Sequence, residues 1–280
     1  MGLERVDVVC FGMITPAMVI VVDEMPAWNS GAVWKQGKEF ISDDAAIVAV
    51  LLRQWGVSSS LIGTCLGDDP RGHATAQQLI DAGVAGEFRL STGVTTPFEI
   101  NVSDGSGART YFWRRDSDVL DTLDSADLSL IDGSKLLYAD WYDGDHILRP
   151  MKMAQQLGVP VFLNIEHSHH DRALLERLAP LVSVCQAVTN HDQTANNADE
   201  VADKLLVSGV DTALVTMAKD GCLVANRENA CWSVLPPSMS WTDARREQPS
   251  LPDFSMVCCM DGTQRRARDS QWQRGHYSAP

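Results

Sequence analysis

The sequence predicts an α/β fold: a mostly parallel sheet flanked by helices, with a small β-sheet attached at one edge. Three observations carry this. From residue 136 onward, short apolar strands alternate with helices of about ten to twelve residues, the pattern of right-handed βαβ units. Two adjacent strand patterns near 97–113 are joined by Asp104-Gly105-Ser106-Gly107, a hairpin signal. The chain has 280 residues, 45% hydrophobic and 21% charged, enough to bury a sizeable core without disulfide or metal staples.

Each element follows in order. Val6 to Gly12 is β-rich and ends in glycine, and Val19 to Val22 is a second short strand. The polar stretch Trp28 to Lys38 breaks strand pattern. Asp43 to Trp55 reads as a helix, with acids at its start, Ala and Leu inside, and Gly56 after its end. Ser59 to Leu66 is a strand, residues 67–72 a turn, and His73 to Ala82 a helix closed by Gly83. Phe98 to Val102 and Arg109 to Trp113 form the hairpin. Strands then follow at Leu136 to Ala139, Val161 to Ile165, Val184 to Val188 and Ala213 to Met217. Helices are expected at His146 to Leu157, Arg172 to Leu181 and Ala198 to Val207. The pair Cys222 to Ala225 and Cys231 to Leu235 closes the regular part.

Charge and cysteine usage narrow the function. A net charge of −14 disfavours a nucleic-acid binder, which wants a basic face. Small phosphates remain possible ligands, because backbone N–H groups hold them. Seven cysteines contain no C-x-x-C pair and mostly sit in apolar runs, the usage of a reduced cytoplasmic protein. Val8 to Val22 is too short and interrupted to span a bilayer, so no membrane association is expected.

The last forty residues differ in kind. Between Trp241 and Pro280 only Leu251 and Val257 represent Leu, Ile and Val, and six basic groups meet five acidic ones. Such a segment supplies little core and is expected to be disordered. The expected division is therefore 1–237, an α/β domain including lid segments near 14–40 and 97–113, and 238–280, an aberrant tail.

Several side chains invite two readings. Asp68 and Asp69 are expected to cap a turn rather than act as catalytic carboxylates. His167, His169 and His170 are expected to be solvated, with no cysteine or carboxylate at ligand spacing, so no metal site is predicted. Asp43 and Asp44 read first as helix-start residues and second as substrate contacts.

Gly67-Asp68-Asp69-Pro70-Arg71-Gly72, Gly105-Ser106-Gly107-Ala108-Arg109-Thr110 and Thr216-Met217-Ala218-Lys219-Asp220-Gly221, in this order and context, resemble the ribokinase (PfkB-type) family, with ketohexokinase-like members nearest. The resemblance covers roughly residues 5 to 237. It implies a Rossmann-like three-layer ribokinase fold with a small β-sheet lid over the substrate, here with its C-terminal helices missing. It implies ATP and Mg2+ as cofactors, phosphoryl transfer to a sugar-like hydroxyl, and a homodimer through the lid. It assigns Arg109, Asn190, Thr216, Ala218 and Gly221 to the nucleotide, and Asp43 and Asp44 to the substrate.

This chain departs from the family pattern at several points. Ala17 stands where the family has a sugar-binding Asp, Ser42-Asp43-Asp44 where it has Gly-Gly-Asn, and Gln193 where it has the Glu of Asn-x-x-Glu. The family's Gly-Ala-Gly-Asp, anion hole plus catalytic base, should follow Leu235-Pro236-Pro237 and does not, so the catalytic residue is unknown. Back-translation displaced by one codon boundary from Met239 yields a series close to the family's Val-Val-Asp and Ala-Gly-x-Ala-Phe segments. Even that frame puts Ala or Thr at the base position. The alternative to a kinase is thus a non-catalytic, ligand-binding pseudokinase.

Overall fold

The computed structural model describes residues 6–106, 108–189, 197–217, 221–233 and 265–267. They fall into two compact units, divided after Val159.

The first unit contains two main sheets. In one, β1 (Val8–Gly12) lies between β4 (Ser59–Gly63) and β9 (Leu136–Asp140), all parallel. These strands are buried almost end to end, as expected where helices cover both faces of a parallel sheet. The helix α1 (Asp44–Gln54) packs Ala45, Ala46 and Ala49 against β1 and β4. Small side chains there let helix and sheet approach closely. Phe11, Leu61 and Leu137 fill the core, with Ile131, Ile147 and Met151. The other sheet runs β3 (Trp34–Ser42), β2 (Thr15–Val22), β7 (Phe98–Ser103) and β8 (Arg109–Arg114) in spatial order. Strands β2 and β7 are parallel, and the outer pairs antiparallel. This is the lid sheet. Two short strands, β5 (Leu66–Gly67) and β6 (Leu90–Ser91), pair beside α2 (Pro70–Asp81), and α3 (Ser117–Asp121) follows β8. The unit ends with α4 (Leu148–Leu157).

The second unit holds β10 (Val161–Glu166), β11 (Val184–Val188) and β12 (Thr212–Thr216) as parallel neighbours. Antiparallel strands β13 (Cys222–Asn226) and β14 (Asn229–Ser233) extend that sheet. Its helices are α5 (Arg172–Leu178) and α6 (Ala198–Val207), and α6 buries Val201, Ala202, Leu205 and Leu206. Within the tail, β15 (Arg265–Ala267) pairs antiparallel with β14. Residues 234–264 and 268–280, which include the rest of the 238–280 tail expected to be disordered, lie outside the described residues.

Several sequence expectations change. The polar stretch near 28–38 contributes the long strand β3. Its burial pattern is almost wholly exposed, because it is an edge strand, so the alternation that marks a strand never develops. Helix α2 begins at Pro70 rather than His73. The expected turn is its N-cap, with Asp69 accepting from the Gly72 N–H at 2.8 Å and Pro70 in the first turn. The helix expected from His146 is a 3-10 segment over Trp141–Ile147 followed by α4. His169 is buried rather than solvated. Its Nδ1 meets the Glu166 carbonyl at 3.3 Å, and desolvation lowers its pKa, so it is a neutral core imidazole. Cys10, Cys65, Cys185 and Cys222 are buried free thiols, as core cysteines should be.

Candidate substrate site

In the first unit, the carboxyl ends of β1 and β9 meet the start of α1. Ligands of open α/β sheets bind at this end of the strands. The chain leaves β1 through Gly12-Met13-Ile14 and enters β2 at Thr15. A Cβ on Gly12 would collide with Asp143 Oδ2 and stand 2.8 Å from Ala45 Cβ. Glycine is required there because a carboxylate presses against the backbone. The Met13 N–H points at both Asp143 oxygens, each at 3.3 Å, and the Ile14 N–H donates to Thr64 Oγ1 at 3.1 Å.

Asp43 precedes α1 but does not cap it with its side chain. Its backbone sits at φ 70°, ψ 136°, a conformation that suits glycine, and its side chain makes no cap hydrogen bond. Holding a non-glycine residue there costs about 1–3 kcal/mol. The carboxylate turns instead to the lid, where Arg115 Nη2 donates to Asp43 Oδ1 at 2.6 Å and to Glu99 Oε2 at 3.2 Å. Asp43, Glu99 and Arg115 are largely shielded, with side chains 14%, 9% and 28% exposed.

The site is rich in carboxyl groups. Asp43, Asp44, Asp140 and Asp143 influence one another, and the Arg115 guanidinium acts on Asp43, Glu99 and Asp143. Burial pushes Asp143 up to about 8. The charge of Asp43 adds to that rise, while the Met13 N–H and Arg115 oppose it. Burial also lifts Asp43 to about 6 against the pull of Arg115 and of the Thr15 hydroxyl. Asp140 is raised well above the carboxylate range by burial, by the charge of Asp44 and by a hydrogen bond shared with it; the Tyr142 N–H, at 2.8 Å, draws it back. Like-charged carboxyls this close hold protons that isolated ones would release.

Four buried polar atoms here have no hydrogen-bond partner among the described residues: Asp43 Oδ2, Arg115 Nε, Thr15 Oγ1 and Asn101 Oδ1. Thr15 Oγ1 is turned toward Asp43 and lowers its pKa without meeting full hydrogen-bond geometry. Strand β7 buries Glu99 and Asn101 and leaves Phe98 and Ile100 half-exposed, the reverse of an ordinary strand. A strand that buries its polar face and orphans its polar atoms is shaped for a polar ligand.

A separate cavity of about 880 Å3 opens on the other side of the lid sheet, lined by Phe98, Ile100, Phe112, Arg71 and Asp69. Two of its charged groups are engaged within the protein. Arg71 stacks over the Phe98 ring at 3.7 Å, and Asp69 caps α2. The chemistry therefore concentrates in the carboxylate cluster and not in the larger space.

Of the residues expected from sequence, Asp43 and Asp44 both join this cluster. Arg109 lies exposed on β8, opposite Ser103, at the other end of the strand from Arg115. Six residue steps of extended chain separate the two arginines, about 20 Å, so Arg109 does not reach the cluster. Thr216 and Gly221 belong to the second unit. Thr216 Oγ1 reaches the Ala187 carbonyl at 3.5 Å, the Met217 N–H donates to the Gly221 carbonyl at 2.9 Å, and Gly221 has φ 93°. Asn190 and Ala218 lie outside the described residues. Sequence reasoning missed Thr15, Glu99, Asn101, Arg115, Asp140 and Asp143. The signal available was the pair Glu99 and Asn101 on one face of an otherwise apolar strand, and two aspartates just past the apolar run Leu136 to Ala139.

Residues 44–243 match the model of the pfkB family carbohydrate kinases. No curated protein matches the sequence. Among solved structures, Arabidopsis thaliana ribokinase, complexed with ribose and ATP, is 15% identical at a TM-score of 0.66, covering 85% of this chain and 80% of that one. Giardia lamblia ribokinase is 9% identical at 0.69, covering 84% and 77%. The Methanocaldococcus jannaschii nucleoside kinase, described as an archaeal member of the ribokinase family, is 15% identical at 0.61, covering 80% and 75%.

Proposed function

This chain belongs to the pfkB family of carbohydrate kinases, and on that premise we propose that it is built for ATP-dependent phosphoryl transfer to a hydroxyl of a sugar or related small molecule, in the ketohexokinase-like branch. The single observation that carries the reading is the roofed polar site at the ends of β1 and β9, where four buried polar atoms find no partner among the described residues. A polyhydroxylated ligand supplies donors and acceptors to those atoms, which removes their desolvation cost. Closing the lid sheet over it would exclude water, which otherwise competes for the phosphoryl group.

The nucleotide is assigned to Arg109, Asn190, Thr216, Ala218 and Gly221. Gly221 has φ 93° and no side chain to block a ligand, which supports a nucleotide there. Among the described residues, no three His, Cys, Asp or Glu side chains are grouped so as to hold a metal ion. In this reading Mg2+ therefore arrives on the ATP phosphates, where it neutralises charge developing at the transferred group. A homodimer through the lid and a cytoplasmic location belong to the same reading.

One observation favours the non-catalytic alternative. No Gly-Ala-Gly-Asp stretch follows Pro237, so the anion hole and the base that would take the hydroxyl proton are missing from the sequence. Loss of a general base alone costs about 10²–10⁴ in rate. Sugar-dependent ADP release, measured over a panel of hexoses, pentoses and amino derivatives, separates the two. The kinase reading expects turnover that depends on one sugar class. Saturable sugar binding by calorimetry without ADP release means a pseudokinase.

A further inference from the structure

The lid sheet joins the body of the first unit at four chain crossings. The chain enters β2 at Thr15, leaves β3 after Ser42, enters β7 at Phe98 and leaves β8 after Arg114. One residue from each crossing belongs to a single polar set. Arg115, at the β8 crossing, donates through Nη2 to Asp43 at the β3 crossing, at 2.6 Å, and to Glu99 at the β7 crossing, at 3.2 Å. Thr15, at the β2 crossing, turns its buried hydroxyl toward Asp43. Asp43 makes this contact from a backbone that suits glycine, at φ 70°. A residue persists in such a conformation where its surroundings hold it there, and the strain then points to a role for its side chain. Away from the crossings the lid is less tied. Helix α2 supplies Thr75 and Gln78, and the lid Ile100 and Phe112, to the lining of the cavity of about 880 Å3. Open space there gives the sheet room to tilt about its crossings.

We propose that Arg115 is a positioning residue that clamps the lid sheet to the body by tying three of the four crossings together through Asp43 and Glu99. Shielding from water strengthens such an ion pair, and all three side chains are shielded. The two arms differ in what they join. The arm to Glu99 lies within the lid, between β7 and the end of β8. The arm to Asp43 reaches the start of α1, so it is the one that fixes the lid to the body. That arm responds to acid. Asp43 faces Arg115, Glu99, Asp44 and Asp143, together with the Thr15 hydroxyl. Burial first, then Glu99 and Asp44, hold its pKa up to about 6 against the pull of Arg115 and Thr15. Acidification below that value removes the charge of Asp43 and loosens the lid from α1. The clamp is a property of the free protein and stands whether or not the chain turns over a sugar.

Amide hydrogen exchange on the full chain without ligand tests this, with folding of each variant checked by thermal unfolding. In Arg115→Ala at about pH 7.5, the amides of 38–42 in β3 and 98–101 in β7 are expected to exchange about tenfold faster or more, and those of β1 and β4 within about twofold of the parent. One nitrogen meets both carboxylates, so the ammonium of Arg115→Lys is expected to restore most of the protection. Taking the parent to about pH 5, with rates corrected for the intrinsic effect of pH, should speed exchange at 38–42 about threefold or more. Asp43→Asn should show that faster exchange already at about pH 7.5, with no further change on acidification. Lid exchange within about twofold of the parent in Arg115→Ala overturns the clamp. So does equal loosening of β1 and β4, which marks a general loss of stability, and so does a lysine variant that recovers nothing, which marks packing alone. If Arg115→Ala does not fold, Asp43→Asn decides: loosening confined to the lid supports the clamp, and none overturns it. Acid sensitivity that persists in Asp43→Asn overturns the assignment of the response to Asp43.

Discussion

At the start of α2, Asp69 adopts an extended backbone and accepts the Gly72 N–H at 2.8 Å and the Thr96 N–H at 3.1 Å. At the start of α1, Asp43 takes φ 70°, leaves the helix uncapped and reaches Arg115 in the lid. Partial burial acts to raise the Asp69 pKa, but hydrogen bonds from Gly72, Thr96 and Arg71 outweigh it and leave the carboxyl below its ordinary range. Burial raises Asp43 to about 6 despite Arg115. One residue type, at one kind of sequence position, serves helix stability in the first case and works against it in the second. Positions that give up local stability to hold a charge in place are where function is concentrated.

The sharpest test of this contrast removes the lid cation. Arg115→Ala leaves Asp43 and Glu99 shielded without a partner. Breaking a buried pair costs about 3–5 kcal/mol, and partial exposure of Arg115 reduces this to about 2–3 kcal/mol. The loss is expected in thermal unfolding at about pH 8 and should shrink near pH 5, where Asp43 takes up a proton. An equal loss at both pH values would show that Arg115 acts through packing alone.

Asp143→Asn should have a somewhat smaller effect, of opposite sign at high pH. The folded pKa of about 8 lies above the ordinary 3.8, so the folded state binds the extra proton. The carboxyl's contribution to stability is full below about pH 4 and is lost as pH rises toward 8. The asparagine variant should flatten that slope and be more stable than the parent at about pH 8 and similar to it at pH 5. Urea unfolding across this range measures it, and parallel pH profiles for the two proteins would refute the burial of Asp143.

The smallest effect belongs to the ordinary cap. Asp69→Ala should cost about 1 kcal/mol near neutral pH. Because the Asp69 pKa is lowered, that stabilisation is present above the ordinary carboxylate range and disappears as pH falls through the lowered value. Ligand binding at the carboxylate cluster should not change. Substrate affinity that falls as far in this variant as in Asp43→Asn would erase the distinction between the two helix starts.

The legible part of the molecule was the part written in short range. Apolar runs such as Val184 to Val188 announced buried parallel strands, and the acid-start, glycine-stop pattern announced α1. The Asp69 cap was readable because its partner, Gly72, is three residues away. The lid strand β3 was missed because an exposed edge strand has no inward face to generate alternation. His169 was read as solvated because nothing local reveals that its loop folds inward.

From sequence alone followed the α/β class, the order of strands and helices, the resemblance to sugar kinases and the suspicion attached to Asp43 and Asp44. These depend on periodicity, propensity and spacing, which neighbouring residues determine. Only the tertiary structure decided what those aspartates do. Asp43 meets Arg115 across 72 residues of chain, and Asp143 meets the Met13 N–H across 130. The pKa shifts and the unpaired buried atoms both arise from such long-range placements. Burial and Coulomb energy depend on distance in space, and the chain reveals that distance only once it has folded.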